Sequence, residues 1–188
     1  MSSSDKNLDS HHHKHEGLHN MTWDDFGSLC HKLAMIIWQD YQPEIVVGIA
    51  KGGVLVGACL SSALRLDFFP IKLSTRHNEK IVRDEPKWFV TPTDDLAGKR
   101  VLLVDDICVT MKTLDLAKEA IMAKKATEVR TATLMIHGGH QRPDWFALDT
   151  NALILVPWDL KVILDGEWVI NPEFQEELDS LGINVKEI

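Results

Sequence analysis

Two adjacent carboxylates, Asp105 and Asp106, close the apolar run RVLLVDD, and hydroxyls follow within a few residues at Thr110 and Thr113. Side by side, ionised acids repel, so each needs water, a metal ion or hydroxyl groups as company. A sugar diol meets that need, and so does a Mg2+ carried by a phosphate. Val109, Thr110, Met111, Lys112 and Thr113 lie where a helix is expected to begin. Unpaired N–H groups, the helix dipole and two hydroxyls there suit a monophosphate. A solvated strand end with a threonine cap has the same appearance, so the pattern alone leaves both readings open. The second candidate is Lys51-Gly52-Gly53, at the end of the apolar run EIVVGIA. Its glycines let backbone N–H groups approach an anion closely, and Lys51 adds a positive charge at the mouth of the next helix. Gly-Gly is also ordinary turn material.

Both candidates need strands to carry them. Thr22 can cap a helix in which Phe26, Leu29, Leu33, Ile36 and Ile37 recur at helical spacing, with Pro43 closing it. Strands are read in EIVVGI, FFPIKL, RVLLVDD, EVRTATLMI and NALILVP, with helices after the first and third of these. Strands apolar on both faces, alternating with helices, predict an α/β fold with a central parallel sheet flanked by helices. In such sheets ligands sit beyond the carboxyl ends of strands, where the strand order reverses. The polar stretch 74–98 is long for a loop in a compact domain and reads as a mobile one. Residues 1–21, which hold more than half of the nine histidines, read as a disordered arm, and 22–188 as one domain.

Composition narrows the function classes. Over 188 residues the net charge is -8, which is wrong for a nucleic-acid surface. The apolar runs are too short to span a bilayer. The chain is expected to be cytoplasmic, with no nucleic-acid or membrane partner. Cys30, Cys59 and Cys108 lack paired spacing and read as buried side chains, not as disulfides or zinc ligands.

Taken together, VLLVDDICVTMKTL, VVGIAKGGVLVGACLSSAL, RPDWFA and VPWDLKVILDGEW resemble the type I phosphoribosyltransferases, nearest the hypoxanthine/guanine/xanthine enzymes, over about residues 43–172. The resemblance implies that fold, with a small hood at 157–172 built from chain ends and a flexible loop over 74–98. It implies transfer of the phosphoribosyl group of phosphoribosyl pyrophosphate (PRPP) to a purine-like base, with Mg2+ and release of pyrophosphate. Asp105 and Asp106 would hold the ribose hydroxyls, residues 109–113 the 5′-phosphate, and Lys51, Gly52 and Gly53 the pyrophosphate. Trp158 would stack on the base, and Asp165, with Asp105 and Asp106, would face the metal. A non-proline cis peptide is implied at Ala50–Lys51, and a homo-oligomer as the assembly. Trp145 and Trp168 read as packing for the hood.

This chain also departs from the family pattern. Val109 stands where purine-salvage members carry an aspartate, and valine does no acid–base work. Met111 stands where they carry a glycine, and no lysine falls near MIHGGH, where His137 or His140 would have to meet the base. A PRPP- or nucleotide-binding regulator of the same fold is therefore the second expectation.

Overall fold

The computed structural model describes residues 16–74, 76–77, 80–81, 87–138 and 141–184; the tract before Glu16, His140 and the other residues of the polar loop lie outside them. The chain divides into two compact units, Thr22–Thr150 and a smaller one made of Met1–Met21 with Asn151–Ile188.

The larger unit starts with α1 (Trp23–Asp40). Its N-terminus is closed by a complete capping box, in which Thr22 Oγ1 accepts from Asp25 N at 3.1 Å and Asp25 accepts from Thr22 N at 2.9 Å. The strands β2 (Ile45–Ile49), β3 (Asp67–Ser74), β7 (Arg100–Cys108), β8 (Glu128–Ile136) and β9 (Trp145–Asp149) run parallel. Between β3 and β7 lie the short antiparallel pair β4 (Arg76–His77) and β5 (Lys80–Ile81), then β6 (Lys87–Val90), which joins the sheet edge antiparallel to β3. The sheet order is β6-β3-β2-β7-β8-β9. The chain therefore steps outward from β2 to β3, then returns to the other side of β2 as β7. That reversal opens the crevice between the ends of β2 and β7. Helix α2 (Gly52–Leu64) follows β2 and α3 (Lys112–Ala123) follows β7.

Strand side chains alternate between faces. Val101 and Leu103 of β7 join Val47, Ile71, Leu114, Ala117 and Ile121 in the buried core beneath α3. Leu102 and Val104, equally buried, turn to the opposite face, and α2 and α1 pack on that side of the sheet. At the N-terminal rim of the sheet, the Arg130 guanidinium lies 4.9 Å from the Tyr41 ring centre and 5.6 Å from that of Trp145. It pairs with Glu128 at 2.8 Å and Asp40 at 3.8 Å. Tyr41 donates its hydroxyl to the carbonyls of Val101 and Glu128, each at 3.3 Å.

Three expectations change. The fifth parallel strand is Trp145–Asp149 and not NALILVP. The Asp144 carboxylate accepts from Thr131 N at 2.7 Å and from its hydroxyl at 2.8 Å, which fixes the start of β9 beside β8. Trp145 is consequently a sheet residue, donating Nε1 to Asp40 at 3.1 Å, and is no part of a hood. Of the stretch 74–98, residues 87–98 are ordered by β6 and by a 3-10 turn at Asp94–Leu96 that buries Leu96 completely. Within the tract read as an arm, the described residues 16–21 include a strand. Leu18–Asn20 (β1) pairs in parallel with Leu153–Leu155 (β10), and Met21 beside it is only 2% exposed.

In the smaller unit, β11 (Lys161–Leu164) and β12 (Glu167–Ile170) form a hairpin. Its turn residues, Asp165 and Gly166, have φ of 51° and 86°. Both lie in the left-handed region that tight hairpins require, and Asp-Gly supplies it. A 3-10 turn at Pro172–Phe174 then leads into α4 (Gln175–Ser180). Among the described residues no helix is long and apolar enough to cross a membrane.

Candidate active site

The register Gly48 to Val104 brings the end of β2, at Ile49, beside the acid pair of β7, which runs on to Cys108 before its own loop begins. The Ala50–Lys51 peptide is cis. Lys51, exposed, occupies the N-cap position of α2, and Met111 occupies that of α3; neither helix start has a side-chain cap. Among the three long helices this sets α2 and α3 apart from α1, whose box is complete. The uncapped N–H groups of two helices thus open at two neighbouring strand ends, which is the local requirement for holding anions.

Contact between the loops is tight. A Cβ added at Gly52 would overlap the Asp106 carboxylate. One added at Gly53 would lie 2.7 Å from the Val104 carbonyl oxygen and 2.8 Å from Asp105 Cα. Glycine is needed at both positions because β7 leaves no room for a side chain. The Asp105 carboxylate accepts from Asp106 N at 2.9 Å, and that of Asp106 accepts from Ile107 N at 2.9 Å. Although the residue keeps some surface, the Asp105 carboxyl is enclosed by protein. Burial first, and then the charge of Asp106, hold its pKa well above the usual carboxylate range.

This has a consequence for stability. As pH rises through the ordinary carboxylate range, the unfolded chain releases the Asp105 proton while the folded chain keeps it, so this residue's contribution falls as pH rises. Asp105→Asn, neutral at every pH, should gain stability relative to the parent between about pH 4 and pH 8. Urea midpoints at the two ends of that range measure the gain, and a constant difference between the proteins would contradict it.

Val109, 36% exposed, and Thr110 form the outer part of the loop between β7 and α3, with Lys112 and Thr113 exposed in the first turn of α3. Met111 turns its side chain inward instead, packing against the core beneath α3. His137 follows β8, is 5% exposed, and donates its backbone N–H to the Cys108 carbonyl at 3.0 Å. The acids, the glycines, Lys51 and residues 109–113 are therefore gathered in the larger unit. Trp158 and Asp165 belong to the smaller one. There Trp158 is half-buried in the turn Pro157–Asp159, and Asp165 is exposed at its hairpin tip. Trp168 is 70% exposed on β12.

Cys108 is buried as the sequence reading has it, but that reading missed its contact with Met111, Sγ to Sδ at 3.6 Å. It also missed Thr133, the register partner of Asp105, whose fully buried hydroxyl has no hydrogen-bond partner among the described residues. Neither carries a sequence signal, since a register and a rotamer create both.

The chain is similar to known proteins in sequence and in fold. The chain is 31% identical over 107 residues to the adenine phosphoribosyltransferase of Campylobacter concisus, spanning 52% of itself and 59% of that relative. To the hypoxanthine-guanine phosphoribosyltransferase of Staphylococcus epidermidis it is 28% identical over 138 residues, 69% and 76% of the two chains. The crystal structure of a purine phosphoribosyltransferase from Pyrococcus horikoshii superposes with a TM-score of 0.68 at 26% identity, covering 80% of this chain and 99% of that one. The family model for the phosphoribosyl transferase domain matches residues 22–164, a span that takes in both loops and the sheet that sets them side by side. With both loops on the reversal of that sheet, the chain belongs to the phosphoribosyl transferase domain family.

Proposed function

We propose that this protein transfers the phosphoribosyl group of PRPP to a purine-like base and releases pyrophosphate. The observation that carries the reading is the meeting of two uncapped helix starts with an acid pair at one reversal point of the sheet. A ligand with a phosphate at one end, a diol in the middle and a pyrophosphate at the other matches that order of groups. In this reading Asp105 and Asp106 bind the ribose hydroxyls. The N–H groups and hydroxyls of 109–113 hold the 5′-phosphate, and Lys51 with the Gly52 and Gly53 N–H groups holds the pyrophosphate.

The donor set suits Mg2+ arriving with its substrate. Among the described residues no three His, Cys, Asp or Glu side chains converge, and Mg2+ is commonly held by one or two carboxylates plus phosphate oxygens. Asp105 and Asp106 are the carboxylates in question, and when bound the ion neutralises charge on the leaving pyrophosphate. Trp158 and Asp165 keep the base and metal roles that the resemblance gives them, and His137 that of a base contact. A homo-oligomer remains the proposed assembly.

Val109 supports a second reading, a PRPP- or nucleotide-binding regulator, because an exposed valine on the phosphate loop supplies no proton acceptor. Calorimetric titration of PRPP with Mg2+, beside a pyrophosphate-release assay over hypoxanthine, guanine, xanthine and adenine, separates the two. Transfer predicts binding and release with at least one base. Binding without release supports the regulator, and no binding removes both.

A further inference from the structure

Met111 replaces the glycine that the resemblance implies, yet its φ of -71° and ψ of -5° are right-handed values open to every residue. The backbone here does not ask for glycine. Instead the side chain does something glycine cannot. It runs into the core that holds Cys108, Leu114 and Ile136, where the Cys108 thiol donates to the Met111 thioether at 3.6 Å. Val109–Met111 is thus a three-residue arch with both feet tied. On one side Cys108, the last residue of β7, accepts the His137 N–H at 3.0 Å. On the other, the Met111 carbonyl accepts the Asp115 N–H at 2.8 Å in the first turn of α3. The sulfur contact joins the two feet beneath the arch.

We propose that Met111 is a positioning residue for the phosphate loop: seated on Cys108, its thioether holds residues 109–113 in their receiving shape before any ligand arrives. The inference rests on the phosphoribosyl reading for the identity of the ligand, and on the sulfur contact and core packing for the holding itself. A loop already ordered in the free protein loses less freedom when it binds. Glycine at this position would restore that freedom and leave Cys108 without its partner.

Amide hydrogen exchange in the ligand-free protein, together with calorimetric titration of ribose 5-phosphate, tests both halves. Met111→Gly should exchange faster at residues 109–113 and bind ribose 5-phosphate about tenfold more weakly, the scale of one residue's backbone freedom. Its KM for PRPP should rise by a similar factor with kcat little changed. Met111→Leu keeps the apolar packing without the sulfur and should recover only the share that packing supplies, leaving exchange at 109–113 between that of Met111→Gly and that of the parent protein. Cys108→Ala, approaching the contact from below, should loosen the same amides. Exchange and affinity in Met111→Gly equal to those of the parent protein would overturn the proposal. Faster exchange in a protein whose parent form does not bind ribose 5-phosphate upholds the holding by Met111, and the phosphoribosyl reading is then what falls.

Discussion

Replacing Asp105 and Asp106 together by asparagine should weaken PRPP binding by about 100-fold or more, since each hydrogen bond to an ionised partner contributes roughly 1.5–3 kcal/mol. The pair is suited to a diol because it presents carboxylate oxygens at the end of β7 with one oxygen of each already fixed by a backbone N–H, at 2.9 Å in both cases. Hydroxyl donors arriving from a ribose would meet acceptors already set in position. Burial of the Asp105 carboxyl and its repulsion from Asp106 disfavour charge on the pair in the free protein. A hydroxyl-rich ligand relieves that situation, whereas asparagine removes it at the outset. The double variant should therefore fold at least as stably as its parent while losing its ligand. Calorimetric titration of PRPP with Mg2+, alongside thermal melting, measures both. Unchanged affinity would remove the acids from the ribose.

Gly52→Ala should lower kcat/KM by about 100-fold, the penalty for a shift of about 1 Å at a reacting site, with a modest change in melting temperature. The added methyl would occupy the place of the Asp106 carboxylate, a side chain able to rotate away. The protein can then fold, but with an acid displaced or the start of α2 moved. Gly53→Ala should behave differently. Its methyl would meet the Val104 carbonyl at 2.7 Å and Asp105 Cα at 2.8 Å, both backbone, which cannot yield without moving a central strand. Its damage should appear in the melting temperature as well as in turnover. Steady-state kinetics and melting on the two single variants make the comparison. Equal thermal losses would show that the loops are less closely interlocked than their geometry implies.

Much of this arrangement was legible in the chain. The cap at Thr22, the span Glu128–Ile136 and the β2–α2 and β7–α3 units follow from local pattern, because apolar runs and helix caps are written in neighbouring residues. Trp145–Asp149 was hidden because its start is fixed by hydrogen bonds from Thr131, thirteen residues earlier, and not by its own alternation. Leu153–Leu155 looks like a core strand to any pattern of apolar residues; only its pairing with Leu18–Asn20 shows that it lies in the smaller unit. At the site, residue types announced the acids, the glycines and Lys51. The contact of Gly52 with Asp106 depended on strand register, and the inward turn of Met111 on a side-chain conformation. Met111 looked like the loss of a glycine. In place, it is the gain of an anchor.

The Arg130 cluster at the opposite rim bears on how such a protein can change over generations. With Tyr41, Trp145, Asp40 and Glu128 it fastens β7, β8, β9 and the end of α1 through stacking and charge, away from the strand ends that carry the two loops. A sheet secured at one rim tolerates revision at the other. Substitutions such as those that put Val109 and Met111 in the loop after β7 can accumulate there while the scaffold persists, so a lineage can revise its loops without passing through unfolded intermediates.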